Sequence, residues 1–82
     1  MNMRKQSESE QNFGHVIQML RSEKKMSIHD LAKQTGISAS YIARIESGER
    51  KNPSYAILEQ LALGLGVTME KFVNVLRTRD QE

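Results

Sequence analysis

The sequence has no cysteine and no tryptophan, one proline, and only two phenylalanines and two tyrosines among 82 residues. Without cysteine there is no disulfide, no thiolate zinc site and no thiol nucleophile, and the usual mark of an oxidising compartment is missing. The cytoplasm is the expected location. No apolar run approaches the roughly 18 residues that span a bilayer, and the first residues lack the apolar centre of a signal peptide, so neither export nor a membrane partner is expected. Charge of one sign is scarce as well: 12 Lys and Arg against 10 Asp and Glu leave a net charge of +2. That balance agrees with a polyanion partner without demanding one. A chain this short buries only about 60 to 65% of its unfolded surface, which leaves little room for an enclosed substrate cavity and makes a second chain worth seeking.

What the sequence does contain is apolar residues at helical spacing. Residues 1–11, MNMRKQSESEQ, carry no apolar side chain except two methionines and read as a disordered leader. Phe13, Val16, Ile17 and Leu20 mark a first helix, capped by Asn12 and running to about Lys24. Ser27 with Asp30 three residues later has the pattern of a capping box and opens a short second helix carrying Ile28, Leu31 and Ala32, closed by Gly36. Ser38 caps a third helix with Ile42 and Ile45 inward, ending at Gly48. Ser54 opens a fourth, with Tyr55, Leu58, Leu61, Ala62 and Leu65 inward, and Gly66 closes it. Thr68 caps a fifth with Met69, Phe72, Val73 and Leu76 inward, to about Arg77. Residues 12–77 thus form one all-α domain, followed by a polar tail, 78–82.

The informative stretch is Ile28 to Ser47, IHDLAKQTGISASYIARIES. Two short helices can meet steeply across a three- or four-residue turn only where their contact is close and the turn tolerates positive φ. Ala32 suits the contact and Gly36 the turn. With Leu31, Ile37, Ile42 and Ile45 locking the pair to the first helix, the front of the third helix, Ala39, Ser40, Ala43 and Arg44, faces away from the core. A face so presented fits the major groove of DNA, which admits one α-helix. Charge follows the same division: from Phe13 to Lys51 there are seven cations against four anions, and from Asn52 to Glu82 three against four.

With these residues the chain resembles the lambda-repressor and Cro-like (XRE) helix-turn-helix regulators. The likeness is carried by Phe13-Gly14, Ile17-x-x-Leu20-Arg21, Met26-Ser27, Leu31-Ala32, Gly36-Ile37-Ser38, Tyr41-Ile42, Arg44-Ile45-Glu46-x-Gly48, Asn52-Pro53-Ser54 and Leu65-Gly66-Val67, an ordered set from Phe13 to about Val73. The resemblance implies a compact five-helix domain that binds double-stranded DNA as a homodimer on a roughly palindromic operator and regulates transcription, typically as a repressor. It implies phosphate contacts from the helix N-termini at Ser27 and Ser38, from Tyr41, and from Arg50, Lys51 and Asn52 in the loop after the third helix. Arg44 is the best base reader, because a guanidinium can bond guanine O6 and N7 together. Ser40 can donate or accept, and Ala39 and Ala43 can offer methyl groups to thymine. Relatives often carry Gln where this chain has Ala39 and Ile28, so direct readout is expected to be thin, with DNA shape or dimer spacing carrying more specificity. Arg21 and Glu46 resemble a buried ion pair tying the first helix to the end of the third.

Other readings of single residues are weaker. His15 and His29 are fourteen positions apart with no cysteine nearby, which excludes a recognisable metal site, and no cofactor is expected. Ser38 and Ser40 lack a spaced His or Asp to activate them, so the chain reads as a non-enzyme with no small-molecule ligand. Leu63 and Val75 lie off the inward stripes of the fourth and fifth helices and are candidates for a two-fold interface. The rival function is a protein-interaction or antitoxin-like adaptor on the same fold, favoured by the short side chains of Ala39 and Ala43.

Overall fold

In the computed structural model, which describes the backbone of residues 2–80 and the side chains of residues 13–76, five helices follow one another: α1 Asn2–Glu23, α2 Ile28–Thr35, α3 Ala39–Ser47, α4 Tyr55–Leu65 and α5 Met69–Asp80. There is no strand among the described residues. Local capping explains most of these bounds. Ser38, Ser54 and Thr68 each accept a hydrogen bond through the side-chain oxygen from the backbone N–H three residues on, at 3.1, 3.2 and 3.0 Å. Ser27 and Asp30 exchange two such bonds, each 3.0 Å, in a complete capping box. Gly36, Gly48 and Gly66 close α2, α3 and α4 with φ of +78°, +88° and +74°. At Gly36 an added Cβ would meet open space, so the left-handed backbone alone selects glycine there.

The ends of the chain depart from expectation. The backbone of α1 begins at Asn2, so Asn12 lies inside the helix and does not cap it. Residues 3–11 contain neither glycine nor proline and are rich in Met, Arg, Lys, Gln and Glu, which propagate a helix readily. Their side chains, like those of the tail, lie outside the described residues. At the other end α5 continues to Asp80, past Arg77.

The core is built from Val16, Ile17 and Leu20 of α1, Leu31 of α2, Ile37 of the turn, Ile42 and Ile45 of α3, Leu61, Ala62 and Leu65 of α4, and Phe72 of α5. α1 packs on α3 and α5, and α2 packs on α3 and α4. The rings of Phe13 and Phe72 stack with centroids 6.4 Å apart, fixing α5 against α1. Gly14 sets how closely α1 approaches α3: a Cβ there would clash with the Ile45 carbonyl oxygen and lie 2.8 Å from the Glu46 Cα. Both obstacles are backbone, so neither can swing aside.

Three apolar residues lie differently from the expectation. Phe72, fully buried, centres the inner stripe of α5; Val75 lies about 60° from it around the helix and Val73 about 100°. Val75 is accordingly half-buried against the core, whereas Val73, expected inward, is 39% exposed. Tyr55, also expected inward, is 67% exposed. It is the first residue of α4, and helical side chains tilt toward the N-terminus, which directs Tyr55 off the end of the helix. Leu63, at 68%, is exposed as expected.

Candidate nucleic-acid interface

The turn between α2 and α3 is held by a residue that the sequence reading passed over. The Thr35 hydroxyl donates to the Leu31 carbonyl at 2.9 Å and accepts from the Ile37 N–H at 3.1 Å, so one side chain bridges the last turn of α2 to the connection. A threonine in the last turn of a helix is the signal for such back-bonding. With Ile37 buried on one side and Ile42 and Ile45 on the other, α3 can rotate little about its axis.

Its outward face is therefore defined. Ser40, Ala43 and Arg44 are exposed and fall within about 100° of arc, while Ala39 and Tyr41 are half-buried. Ser47 shares this face, but its hydroxyl donates to the Arg44 carbonyl at 3.1 Å and accepts from the Glu49 N–H at 3.3 Å. It shapes the exit from α3.

The two helix N-termini differ electrostatically. In α2 the Ser27 backbone N–H already donates to the Asp30 carboxylate, and this bond, with that of the Ser27 hydroxyl, holds the Asp30 carboxyl below its ordinary range. An ionised acid at that position opposes a phosphate, and it already engages both the backbone N–H and the hydroxyl of Ser27. The first turn of α3 carries no acid, and Ser38 engages only the Tyr41 N–H through its oxygen. The α3 end is the better anion site of the two.

The loop after α3 is pinned by its backbone. Gly48 N–H donates to Ile45 O at 3.1 Å, and Arg50 N–H donates to Arg44 O at 3.0 Å. The Arg50 guanidinium carbon then sits over the Tyr41 ring, 5.4 Å from its centroid. Lys51 and Asn52, next in the loop, are exposed. Loop and helix thus bring Arg44, Tyr41 and Arg50 to one side of the molecule. Behind them, Arg21 Nε and Nη2 donate to the two carboxylate oxygens of Glu46, each at 2.9 Å, and Nη1 donates to the Met26 carbonyl at 2.9 Å. The hydrogen bond with Glu46 raises the pKa of Arg21 further above its ordinary value. Glu46 therefore adds no free negative charge behind the exposed face.

Sequence and structure comparisons agree with this geometry. A family model described as helix-turn-helix matches residues 17–72. The chain belongs to the XRE-type helix-turn-helix family of lambda-repressor-like fold. It is 38% identical over 60 residues to the HTH-type transcriptional repressor RghR of Bacillus subtilis, covering 73% of this chain and 44% of that one. Control protein C.MunI of Mycoplasma is 37% identical over 60 residues, 72% of this chain and 80% of the relative. The restriction-modification controller protein C.Esp1396I, solved as a tetramer in complex with its natural 35 base-pair operator, superposes with a TM-score of 0.85 at 30% identity, covering 90% of this chain and 96% of that one. The chain spans about half or less of the length of the Bacillus regulators it matches.

Proposed function

We propose that the protein is a sequence-specific, double-stranded-DNA-binding transcriptional regulator that acts in the cytoplasm as a homodimer on a roughly palindromic operator. The observation that carries the reading is the front of α3. Ile42 and Ile45 are buried behind it, Ser40, Ala43 and Arg44 point outward, and an acid-free N-terminus stands at one end with Arg50 alongside. In this reading Arg44 is the principal base reader, with Ser40 and the methyls of Ala43 and Ala39 secondary. Ser38, Arg50, Lys51 and Asn52 contact phosphate, and Ser27 contributes less, because Asp30 occupies its N–H. Self-association runs through α4 and α5, where Leu63 and Val73 are exposed, with half-buried Val75 at the margin. The naming of RghR as a repressor and the operator-bound form of C.Esp1396I support the reading and favour repression as the sign.

The test is selection from a random duplex library at physiological salt, with the protein at fixed concentration. The expected product is a symmetric motif whose half-sites are spaced for recognition helices about 34 Å apart. Arg44→Ala should relax one position per half-site, at a cost of about 1 to 3 kcal/mol on the preferred sequence. Binding that never rises above the nonspecific level would overturn the assignment and favour the protein-interaction module.

A further inference from the structure

We infer that Tyr41 is a positioning residue for Arg50: its ring is the platform that holds the loop guanidinium beside α3, ready for the DNA backbone. The inference rests on the DNA-binding reading above and adds to it the part played by Tyr41, which differs from the direct phosphate contact that its hydroxyl suggests. Three observations support it. The Arg50 main chain is tied to α3 by its N–H on Arg44 O, so the start of the side chain has a set position. The ring it meets is itself half-buried and packed on the core, one turn along α3 from Arg44. The guanidinium carbon lies 5.4 Å from the ring centroid, inside the range of about 6 Å over which a ring face attracts a cation.

The chemistry of the contact matters as much as its distance. A carboxylate partner would cancel the charge of Arg50 and occupy its N–H groups. A ring face does neither, and the in-plane N–H edge stays available to a phosphate oxygen. A long side chain that is already oriented also loses less rotamer freedom when it binds. Tyr41 therefore strengthens DNA binding through Arg50, and its aromatic face, not its hydroxyl, carries the effect.

The test compares Tyr41→Phe, which keeps the ring, with Tyr41→Leu, which keeps apolar bulk and loses the face, each alone and with Arg50→Ala. The probe is the duplex selected above, titrated over a range of salt concentrations. Tyr41→Leu is expected to weaken binding roughly 3- to 30-fold, the range that a cation–π contact spans. Tyr41→Phe should rescue most of that loss. In the Arg50→Ala background Tyr41→Leu should be nearly silent, changing affinity by less than about 2-fold. In the free protein, the Arg50 Cδ protons should show an upfield ring-current shift in the wild type and in Tyr41→Phe that disappears in Tyr41→Leu. This readout needs no DNA, and the dispersion of the other signals in the same spectra, the core methyls of Ile42 and Ile45 among them, verifies that each variant is folded. Equal losses from Tyr41→Phe and Tyr41→Leu, or a full further loss from Tyr41→Leu on top of Arg50→Ala, overturn the platform while leaving DNA binding intact. Failure to select any duplex overturns the DNA-binding reading and this inference with it, and a ring-current shift that survives identifies that case.

Discussion

Removing Glu46 tests the link between the part-buried ion pair and the fold most directly. The side chains of Arg21 and Glu46 are 15% and 5% exposed, and two bonds of 2.9 Å join them. Glu46→Ala leaves Nε and Nη2 of Arg21 without their acceptors and strands a positive charge with little water. Breaking a buried pair from one side typically costs 3 to 5 kcal/mol. The lower figure, about 3 kcal/mol, suits this site, because Nη1 keeps the Met26 carbonyl and Arg21 keeps some solvent. A domain of this size has roughly 4 to 12 kcal/mol in all, so the loss removes a quarter or more of it and lowers the midpoint of thermal unfolding by about 12 to 24 °C. The assay is urea unfolding followed by far-ultraviolet circular dichroism at one protein concentration, since the self-association proposed above would contribute to the apparent stability. A companion pair, Arg21→Met with Glu46→Leu, should recover most of the loss, because it removes both charges together. A loss below about 1 kcal/mol for Glu46→Ala, with the denaturant slope unchanged, would refute the reasoning and class the pair with ordinary surface ion pairs.

Lys25 has φ of +57° at the end of α1, where Lys25 N–H bonds to Ser22 O and Met26 N–H to Arg21 O. Lys25→Gly should therefore raise stability by about 0.5 to 1 kcal/mol in the same urea assay, the relief of left-handed strain exceeding the extra freedom of the unfolded chain; a decrease contradicts this. The Asp30 carboxyl is depressed in the folded state by the Ser27 backbone N–H and hydroxyl. Its stabilising contribution is thus present above the ordinary unfolded carboxylate pKa and is lost as pH falls through the lower folded value. The stability gap between wild type and Asp30→Asn should be constant near neutral pH and close in acid, and a gap independent of pH would show that the charge plays no part. Leu63→Glu places a charge on the exposed face of α4 and should raise the dimer dissociation constant at least tenfold by sedimentation equilibrium, with the helical signal unchanged. An unchanged constant places the interface elsewhere.

How much of this was legible in the sequence follows from the range of the interactions involved. Helices α2, α3 and α4 begin and end where their serines and glycines stand, because a cap is a contact between residues three or four apart. Three of the four residues read as outward on α3, Ser40, Ala43 and Arg44, were legible for the same reason, because Ile42 and Ile45 fix the inner face by period, whereas Ala39 is half-buried. The pairing of Arg21 with Glu46 is different. It joins residues 25 positions apart, and only the resemblance to a family pointed to it.

Apolar period failed where neighbouring positions were all apolar. In Phe72, Val73, Val75 and Leu76 the sequence allows several stripes, and the stacking of Phe72 on Phe13 chooses the one that covers Val75 and exposes Val73. Lys25 was missed because a non-glycine left-handed cap has no distinctive residue type, and Thr35 because a threonine in the last turn signals back-bonding to its own helix and not the bridge to Ile37 beyond it.

The sequence by itself determined an all-α, cysteine-free chain, the ends of its middle helices and the face that α3 turns outward, since these rest on steric and hydrogen-bonding preferences within a few residues. Tertiary structure alone decided which valine of α5 is covered and how closely Gly14 lets α1 approach α3. It also decided that Arg50 stands on the ring of Tyr41. Each of these depends on where one helix axis or loop lies relative to another, and that placement is set by the packing of the whole core.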